Sequence, residues 1–143
     1  MDKRFWVCGL VMSVAALLLG FVIHGLLLAP DYAALGPMFR SDDDGRHYAH
    51  WMVLAHVLIG FAMTWIYAQG FSEGRASLLQ GLRFGVAMAL FSTIPGYLIY
   101  YAVQPLPGGL VARQLVLGTI ATVLLGLLVA WLQPRRKVLR ELP

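Results

Sequence analysis

Four long, predominantly apolar runs constrain this chain more than any other feature of its sequence. They cover about residues 5–29, 48–68, 78–103 and 110–133. A helix rises about 1.5 Å per residue and the hydrocarbon core of a bilayer is about 30 Å thick, so roughly 20 apolar residues cross it. Proline, glycine or charged residues bound each run, as expected at the ends of helices. The sequence therefore predicts an all-α membrane protein with a single four-span domain.

The composition favours a bilayer, rather than water, as the solvent of this chain. Of its 143 residues, 59% are hydrophobic and only 13% are charged, whereas a soluble domain carries about 25% charged residues. The net charge is +4, but the basic residues lie at the ends of the runs. That distribution is typical of membrane topology, so we expect no nucleic-acid partner. The single cysteine, Cys8, excludes an internal disulfide and any CxxC motif.

The basic residues also predict the orientation of the chain. If the runs alternate in direction, the two termini and the loop between the second and third runs share one side. Eight Lys and Arg residues lie on that side: Lys3, Arg4, Arg75, Arg83, Arg135, Arg136, Lys137 and Arg140. Three lie on the other side: Arg40, Arg46 and Arg113. Because cytoplasmic loops are enriched in Lys and Arg, we predict an up-down topology with both termini in the cytoplasm.

Small residues recur every four positions in the third and fourth runs. Helices in a bilayer associate through close packing at such residues, since lipid tails are as apolar as leucine. The predicted packing residues are Gly81, Gly85, Ala89, Gly118, Thr122 and Gly126. This spacing favours a compact four-helix bundle. It leaves open whether each stripe of small residues faces the same chain or another one.

Polar side chains from all four runs are expected at one depth, in the outer half of the membrane. The members of this polar layer are His24, His56, Tyr97, Arg113 and Gln114. Polar groups inside a span are costly, so each needs an explanation. They could hydrogen-bond one another and hold the helices together. They could line a pocket for a small anionic or quinone-like ligand, with Arg113 supplying charge. Alternatively, His24 and His56 could ligate a haem iron or another metal ion.

A second cluster of possible metal ligands precedes the second run. It consists of His47 and His50 together with Asp42, Asp43 and Asp44. Histidine combined with carboxylates suits zinc or copper. The cluster lacks the ligand spacing of an EF-hand, so calcium is not expected. A solvated acidic loop is the competing interpretation.

Three segments give the chain a resemblance to known proteins. They are Gly81–Gly85 (GLRFG), residues 94–105 (IPGYLIYYAVQP) and the pair His24-Gly25. In these segments the chain resembles small four-span membrane proteins of proteobacteria that have no established activity. The resemblance implies a bacterial inner membrane and carries over no site residues.

The function that these features favour is non-enzymatic. No run carries an acidic residue, and no Ser/His/Asp or Cys/His set lies at a common depth. We expect an accessory or assembly subunit of a larger membrane complex, or a homo-oligomer, with other membrane-protein chains as partners in the lipid bilayer. One alternative is a small-ligand binding or transport module built on the polar layer. The other is an electron-transfer subunit that binds haem or a metal.

Overall fold

The computed structural model describes residues 3–70 and 77–133 and shows an all-α protein. It is 90% helical, and the described residues form no strand. Six α-helices follow one another along the chain: α1 (Lys3–Gly20), α2 (Ala29–Ala33), α3 (Asp42–Gln69), α4 (Ser77–Met88), α5 (Ile94–Val103) and α6 (Gly108–Leu132). Two π-helical segments, Phe21–Leu27 after α1 and Ala89–Thr93 between α4 and α5, and one short 3₁₀ turn, Gly36–Met38, complete the fold.

Four helical stretches are long and apolar enough to cross a membrane. They are Lys3–Leu27, Asp43–Gln69, Leu78–Val103 and Gly108–Leu132. The predicted class, all-α with four such helices, is confirmed. The second stretch begins earlier than the apolar pattern indicates, because the acidic segment before it is helical. Ser41 caps that helix, accepting a hydrogen bond from the backbone N–H of Asp44 at 3.4 Å, and carboxylates are favourable at a helix N-terminus.

Large apolar side chains cover the outside of the helices. Phe91 is 79% exposed, Val103 72% and Trp131 71%. A soluble monomer does not present apolar surface on this scale to water, whereas a bilayer solvates it. The four long apolar helices and their apolar exterior indicate a multi-pass membrane protein.

The first close pair of helices is α1 with α3. Gly60 of α3 lies directly against the backbone and side chain of Ser13 on α1. Ser13 Oγ donates to the carbonyl oxygen of Val57 at 3.3 Å. Toward the other end of the pair, Thr64 Oγ1 lies 3.7 Å from Cys8 Sγ. The residue nearer the start of α1, Cys8, meets the residue nearer the end of α3, Thr64. The two helices are therefore antiparallel neighbours, held by small and hydroxyl-bearing residues.

The second close pair is α4 with α6, and its contact uses the predicted small residues. A Cβ on Gly126 would lie 2.6 Å from the carbonyl oxygen of Gly81 and 2.6 Å from Cα of Gly85. Beyond the end of α4, in the second π segment, the hydroxyl of Thr93 lies 2.8 Å from that of Thr122 on α6. The stripes of the third and fourth spans therefore face each other within one chain, which leaves this face of α6 covered.

The two pairs meet through α1 and α6. Met12 on α1 and Val129 on α6 are fully buried in the cluster between them. Within the described residues, α3 packs on α1 and more lightly on α6, and it makes no extended contact with α4 or α5. The rings of Tyr67 on α3 and Phe84 on α4 meet at a centroid distance of 5.2 Å, and beyond this contact a seam separates α3 from the α4–α5 stretch.

Both π-helical segments lie a few residues before a proline. The backbone N–H of Leu28 bonds to the carbonyl oxygen of Ile23 at 2.9 Å, two residues before Pro30. The N–H of Ile94 bonds to the carbonyl oxygen of Ala89, one residue before Pro95. A proline clashes with the carbonyl four residues earlier, and a wider turn moves that carbonyl aside. Such π segments are frequent at functional sites, and these two border the same cavity.

Candidate ligand-binding site

A cavity of about 280 Å³ lies among the four spans, where the two π segments face each other. We call it the inner cavity. Most of its lining is apolar, from residues such as Leu19, Met63 and Leu125. Its polar lining side chains are His24, His56, Ser92, Thr93, Tyr97 and Thr122. The volume lies just below the usual range for small-molecule sites, about 300–1,000 Å³, and the mixture of many apolar and few polar groups is typical of them.

The inner cavity borders the open seam of the bundle. Ile59 of α3 and Ser92 of the second π segment line it from the two sides of the seam, and both are exposed at the molecular surface. The surface beside the seam is apolar, with Ile59 43% and Phe91 79% exposed, so the cavity opens toward an apolar exterior. The site therefore suits a lipophilic ligand.

A chain of hydrogen bonds closes the outer end of the inner cavity. Gln114 Nε2 donates to Tyr32 Oη at 3.0 Å. Tyr32 Oη lies 2.7 Å from His24 Nδ1, and Tyr97 Oη lies 3.3 Å from His24 Nε2. These hydrogen bonds join α2, the first π segment, α5 and α6, and two of them involve the ring nitrogens of His24. His24 is thereby fixed in one orientation.

Tyr32, outside the spans, keeps its proton in this arrangement. Partial burial raises the pKa of its phenol, and the carboxylate of Asp31 raises it further, while the hydrogen bond from Gln114 acts in the opposite direction. The phenol therefore stays neutral throughout the neutral pH range. Tyr32 is available to donate a hydrogen bond to His24.

A second, larger cavity of about 710 Å³ lies on the outer side of this chain of hydrogen bonds. Its lining includes Met38, Tyr48 and Tyr100. His24 and Tyr97 line both cavities. Their paired side chains therefore form the partition between the outer cavity and the inner one.

His56 faces the inner cavity from α3. Its Nδ1 lies 2.7 Å from the carbonyl oxygen of Met52. The ring also packs on Gly20 of α1, where a Cβ would lie 2.7 Å from His56 Nε2. No hydrogen-bond partner of Nε2 lies within the described residues. Only glycine at position 20 lets the His56 ring approach α1 this closely. The unpaired Nε2 of that ring lies beside the cavity.

The structure brings together only part of the predicted polar layer. His24, His56 and Tyr97 line the inner cavity, whereas Gln114 reaches the site through Tyr32 and lines the outer cavity. Arg113 lines neither of these two cavities and pairs with Asp31 at 2.9 Å. Asp31 follows Pro30 and the turn of the chain there, which the apolar pattern could not reveal. Among the described residues that line the inner cavity, none therefore supplies a fixed positive charge for an anionic ligand.

The histidines predicted as haem or metal ligands have other partners. Both ring nitrogens of His24 are within hydrogen-bonding distance of tyrosine hydroxyls, so ligating iron would break one of these bonds. His56 retains one unpaired nitrogen. Within residues 3–70 and 77–133, no three His, Cys, Asp or Glu side chains lie close enough together to hold a metal ion. The hydrogen bonds of His24 therefore compete with ligation of a haem iron, and of the two histidines only His56 has a ring nitrogen free for it.

The acidic cluster before the second span forms the start of α3. His47 and His50 are both exposed, and the ring centroids of His50 and Trp51 lie 5.1 Å apart. Asp44 pairs with Arg40 at 2.7 Å, and both side chains are about half exposed. The side chain of Asp42 lies outside the described part of the structure. The described members of this cluster thus match a solvated helix start.

Sequence reasoning missed three residues of the site. Ser92 and Thr93 precede Pro95. Hydroxyls near a proline in a membrane helix are a recognisable signal, because they can donate a hydrogen bond to a backbone carbonyl oxygen that the proline frees. Ser92 Oγ donates to the carbonyl oxygen of Met88 at 3.1 Å. Tyr32 lies beyond Pro30, where the helical periodicity ends, so no pattern along the sequence relates it to His24.

Comparisons with protein-family models, curated proteins and solved structures found no match to this chain. The resemblance to small four-span proteins of proteobacteria stays a prediction. The chemistry of the inner cavity is therefore the basis for a functional proposal.

Proposed function

We propose that this chain is a non-enzymatic protein of a bacterial inner membrane that binds a small lipophilic molecule in the inner cavity. One observation carries the proposal: all four spans contribute to a single cavity, lined mainly by apolar side chains, with a few neutral polar groups. Such a lining matches a ligand that partitions into the bilayer and carries a small polar group. The seam between α3 and the α4–α5 stretch provides the route of access.

The proposed orientation places both termini in the cytoplasm. It rests on the excess of Lys and Arg at the termini and in the loop between the second and third spans. His24 and Tyr97 then lie toward the external side, so the outer cavity faces the exterior and the inner cavity lies within the membrane.

An accessory or assembly role has less support than ligand binding. The stripes of small residues that suggested a partner chain, at Gly81, Gly85 and Gly126, are already in contact with each other inside this chain. Haem-based electron transfer also has less support, because the hydrogen bonds of His24 compete with ligation. The inner cavity, in contrast, is not filled by the side chains that surround it.

Filling the cavity mouth is expected to block binding. Ala62 lines the inner cavity on α3, whereas Ala55 on the same helix lines neither cavity, and both are exposed. Purified protein in nanodiscs is titrated with tritiated 1-decanol, undecane and methyl nonyl ether, with empty nanodiscs as the background. We expect saturable binding of a single probe per chain. Ala62→Phe should lower the affinity for all three by about tenfold or more, because the ring takes up ligand volume.

The Ala55→Phe variant is the matched control, with the same added ring on a lipid-facing position of the same helix. We expect it to bind the probes as the unmodified protein does. If no probe binds above empty nanodiscs, or if the two variants bind equally well, the inner cavity is not a ligand site.

A further inference from the structure

The direction of the hydrogen bonds around His24 follows from the groups involved. The amide nitrogen of Gln114 can only donate, so Tyr32 Oη accepts from it at 3.0 Å. The hydroxyl of Tyr32 has one hydrogen to donate, and His24 Nδ1, 2.7 Å away, is the acceptor that the described residues place within its reach. Tyr32 therefore donates its hydrogen to Nδ1, which accepts it.

That direction determines what Tyr97 can offer. An ionised imidazole is costly at this depth, so His24 is neutral and carries its single hydrogen on Nε2 when Nδ1 accepts. Nε2 then donates to Tyr97 Oη across 3.3 Å. The hydroxyl hydrogen of Tyr97 is consequently left without an acceptor in this chain of hydrogen bonds.

His56 offers the complementary group. The carbonyl oxygen of Met52 can only accept, so His56 Nδ1 carries the hydrogen and donates it at 2.7 Å. In the neutral imidazole, Nε2 is then a bare acceptor. Both His56 and Tyr97 line the inner cavity, which therefore offers a ligand the hydroxyl hydrogen of Tyr97 and the bare Nε2 of His56.

We propose that the inner cavity selects a neutral lipophilic alcohol or phenol, whose hydroxyl donates to His56 Nε2 and accepts from Tyr97 Oη. This inference rests on the proposed function, since it names the ligand class of the same cavity. A hydroxyl is the smallest group that satisfies both partners. An ether or a ketone has no donor for His56, and a carboxylate has neither a donor nor a positive partner, because no charged side chain is among the described residues that line the cavity.

Probes that differ only in the hydroxyl test the inference directly. 1-Decanol and methyl nonyl ether are isomers, and undecane has the same number of non-hydrogen atoms but no oxygen. In nanodiscs containing the unmodified protein, with partitioning into empty nanodiscs subtracted, we expect 1-decanol to bind about tenfold more tightly than the ether. This comparison needs no substitution, so it does not depend on how well any variant folds.

Two variants assign the two hydrogen bonds. His56→Leu removes the acceptor, so it should lower the affinity for 1-decanol to that of the ether and leave the ether unchanged. Tyr97→Phe removes the donor, so it should weaken 1-decanol and the ether by the same factor and leave undecane unchanged. A role for these residues in helix packing alone would change all three probes together.

The outcomes separate the two proposals. If the three probes bind equally well and Ala62→Phe still weakens all of them, the inner cavity is a ligand site but the hydroxyl selectivity is wrong. If His56→Leu leaves the preference for 1-decanol over the ether intact, the assignment of the acceptor is overturned. If no probe binds at all, the ligand-binding function itself is wrong.

Discussion

Replacing Gly126 with alanine is expected to lower the melting temperature of the detergent-purified protein by about 10 °C. The added methyl group would lie 2.6 Å from the Gly81 carbonyl oxygen and 2.6 Å from Cα of Gly85. Both atoms belong to backbone, so no side-chain rotation relieves the overlap and α4 must move away from α6. Overpacking of this kind costs about 3 kcal/mol at its upper end, and roughly 3 °C is lost per kcal/mol in a chain of this size.

Gly96→Ala provides the matched control for this prediction. Gly96 also lies in a helix, α5, but a Cβ there would have no atom within 4 Å. The same substitution should leave the melting temperature unchanged or raise it slightly, since alanine has the higher helix propensity by about 1 kcal/mol. Equal melting temperatures for Gly126→Ala and Gly96→Ala would mean that α4 and α6 are not in backbone contact.

Gly20→Ala is expected to abolish most of the binding of 1-decanol while preserving the fold. Gly20 has helical backbone angles, φ −59° and ψ −45°, so alanine adopts them without strain. The new methyl group would lie 2.7 Å from His56 Nε2. The imidazole must therefore swing away, losing its hydrogen bond to Met52 and its position beside the cavity. We expect the affinity to fall by about tenfold or more.

Binding and melting are measured on the same preparation of Gly20→Ala, with Gly109→Ala as the control. Gly109, near the start of α6, lines neither cavity, and a Cβ there would have no atom within 4 Å. Its variant should therefore bind as the unmodified protein does. If Gly20→Ala binds 1-decanol with unchanged affinity, His56 does not contribute to the site.

The spans and part of the site were predictable from the sequence for a simple physical reason. Hydropathy and helix length are local properties, so four long apolar runs suffice to indicate four helices. Antiparallel neighbours bring residues at equal distances from a turn to the same depth, which is why His24 and His56 could be expected to meet. In the structure both line the inner cavity, together with Tyr97.

The remaining features of the site depend on contacts that no periodicity encodes. The turn at Pro30 carries Tyr32 back onto His24 and places Asp31 beside Arg113. An ion pair with Asp31 removes Arg113 from the site, although its position along α6 suggested a ligand contact. The π segments likewise follow from the balance between a proline and the packing around it, and they change which side chains face inward.

The stripe of small residues illustrates a different limit of sequence reasoning. Its spacing identified the face of α6 that packs closely, and Gly81, Gly85 and Gly126 do meet at that face. Spacing alone cannot tell whether the partner helix belongs to the same chain, because the packing chemistry is the same in both cases. Only the position of α4 against α6 decides it, and that position removes the main reason for expecting a partner chain there.

A crystal structure of the protein grown in a lipid phase with 10-bromo-1-decanol tests the ligand-binding proposal most directly. Anomalous scattering locates the bromine independently of the protein atoms. We expect a single bromine peak per chain in the inner cavity or along the seam between α3 and the α4–α5 stretch, with the probe oxygen between His56 Nε2 and Tyr97 Oη. Bromine found only on the lipid-facing exterior, with the cavity side chains collapsed onto one another, would contradict it.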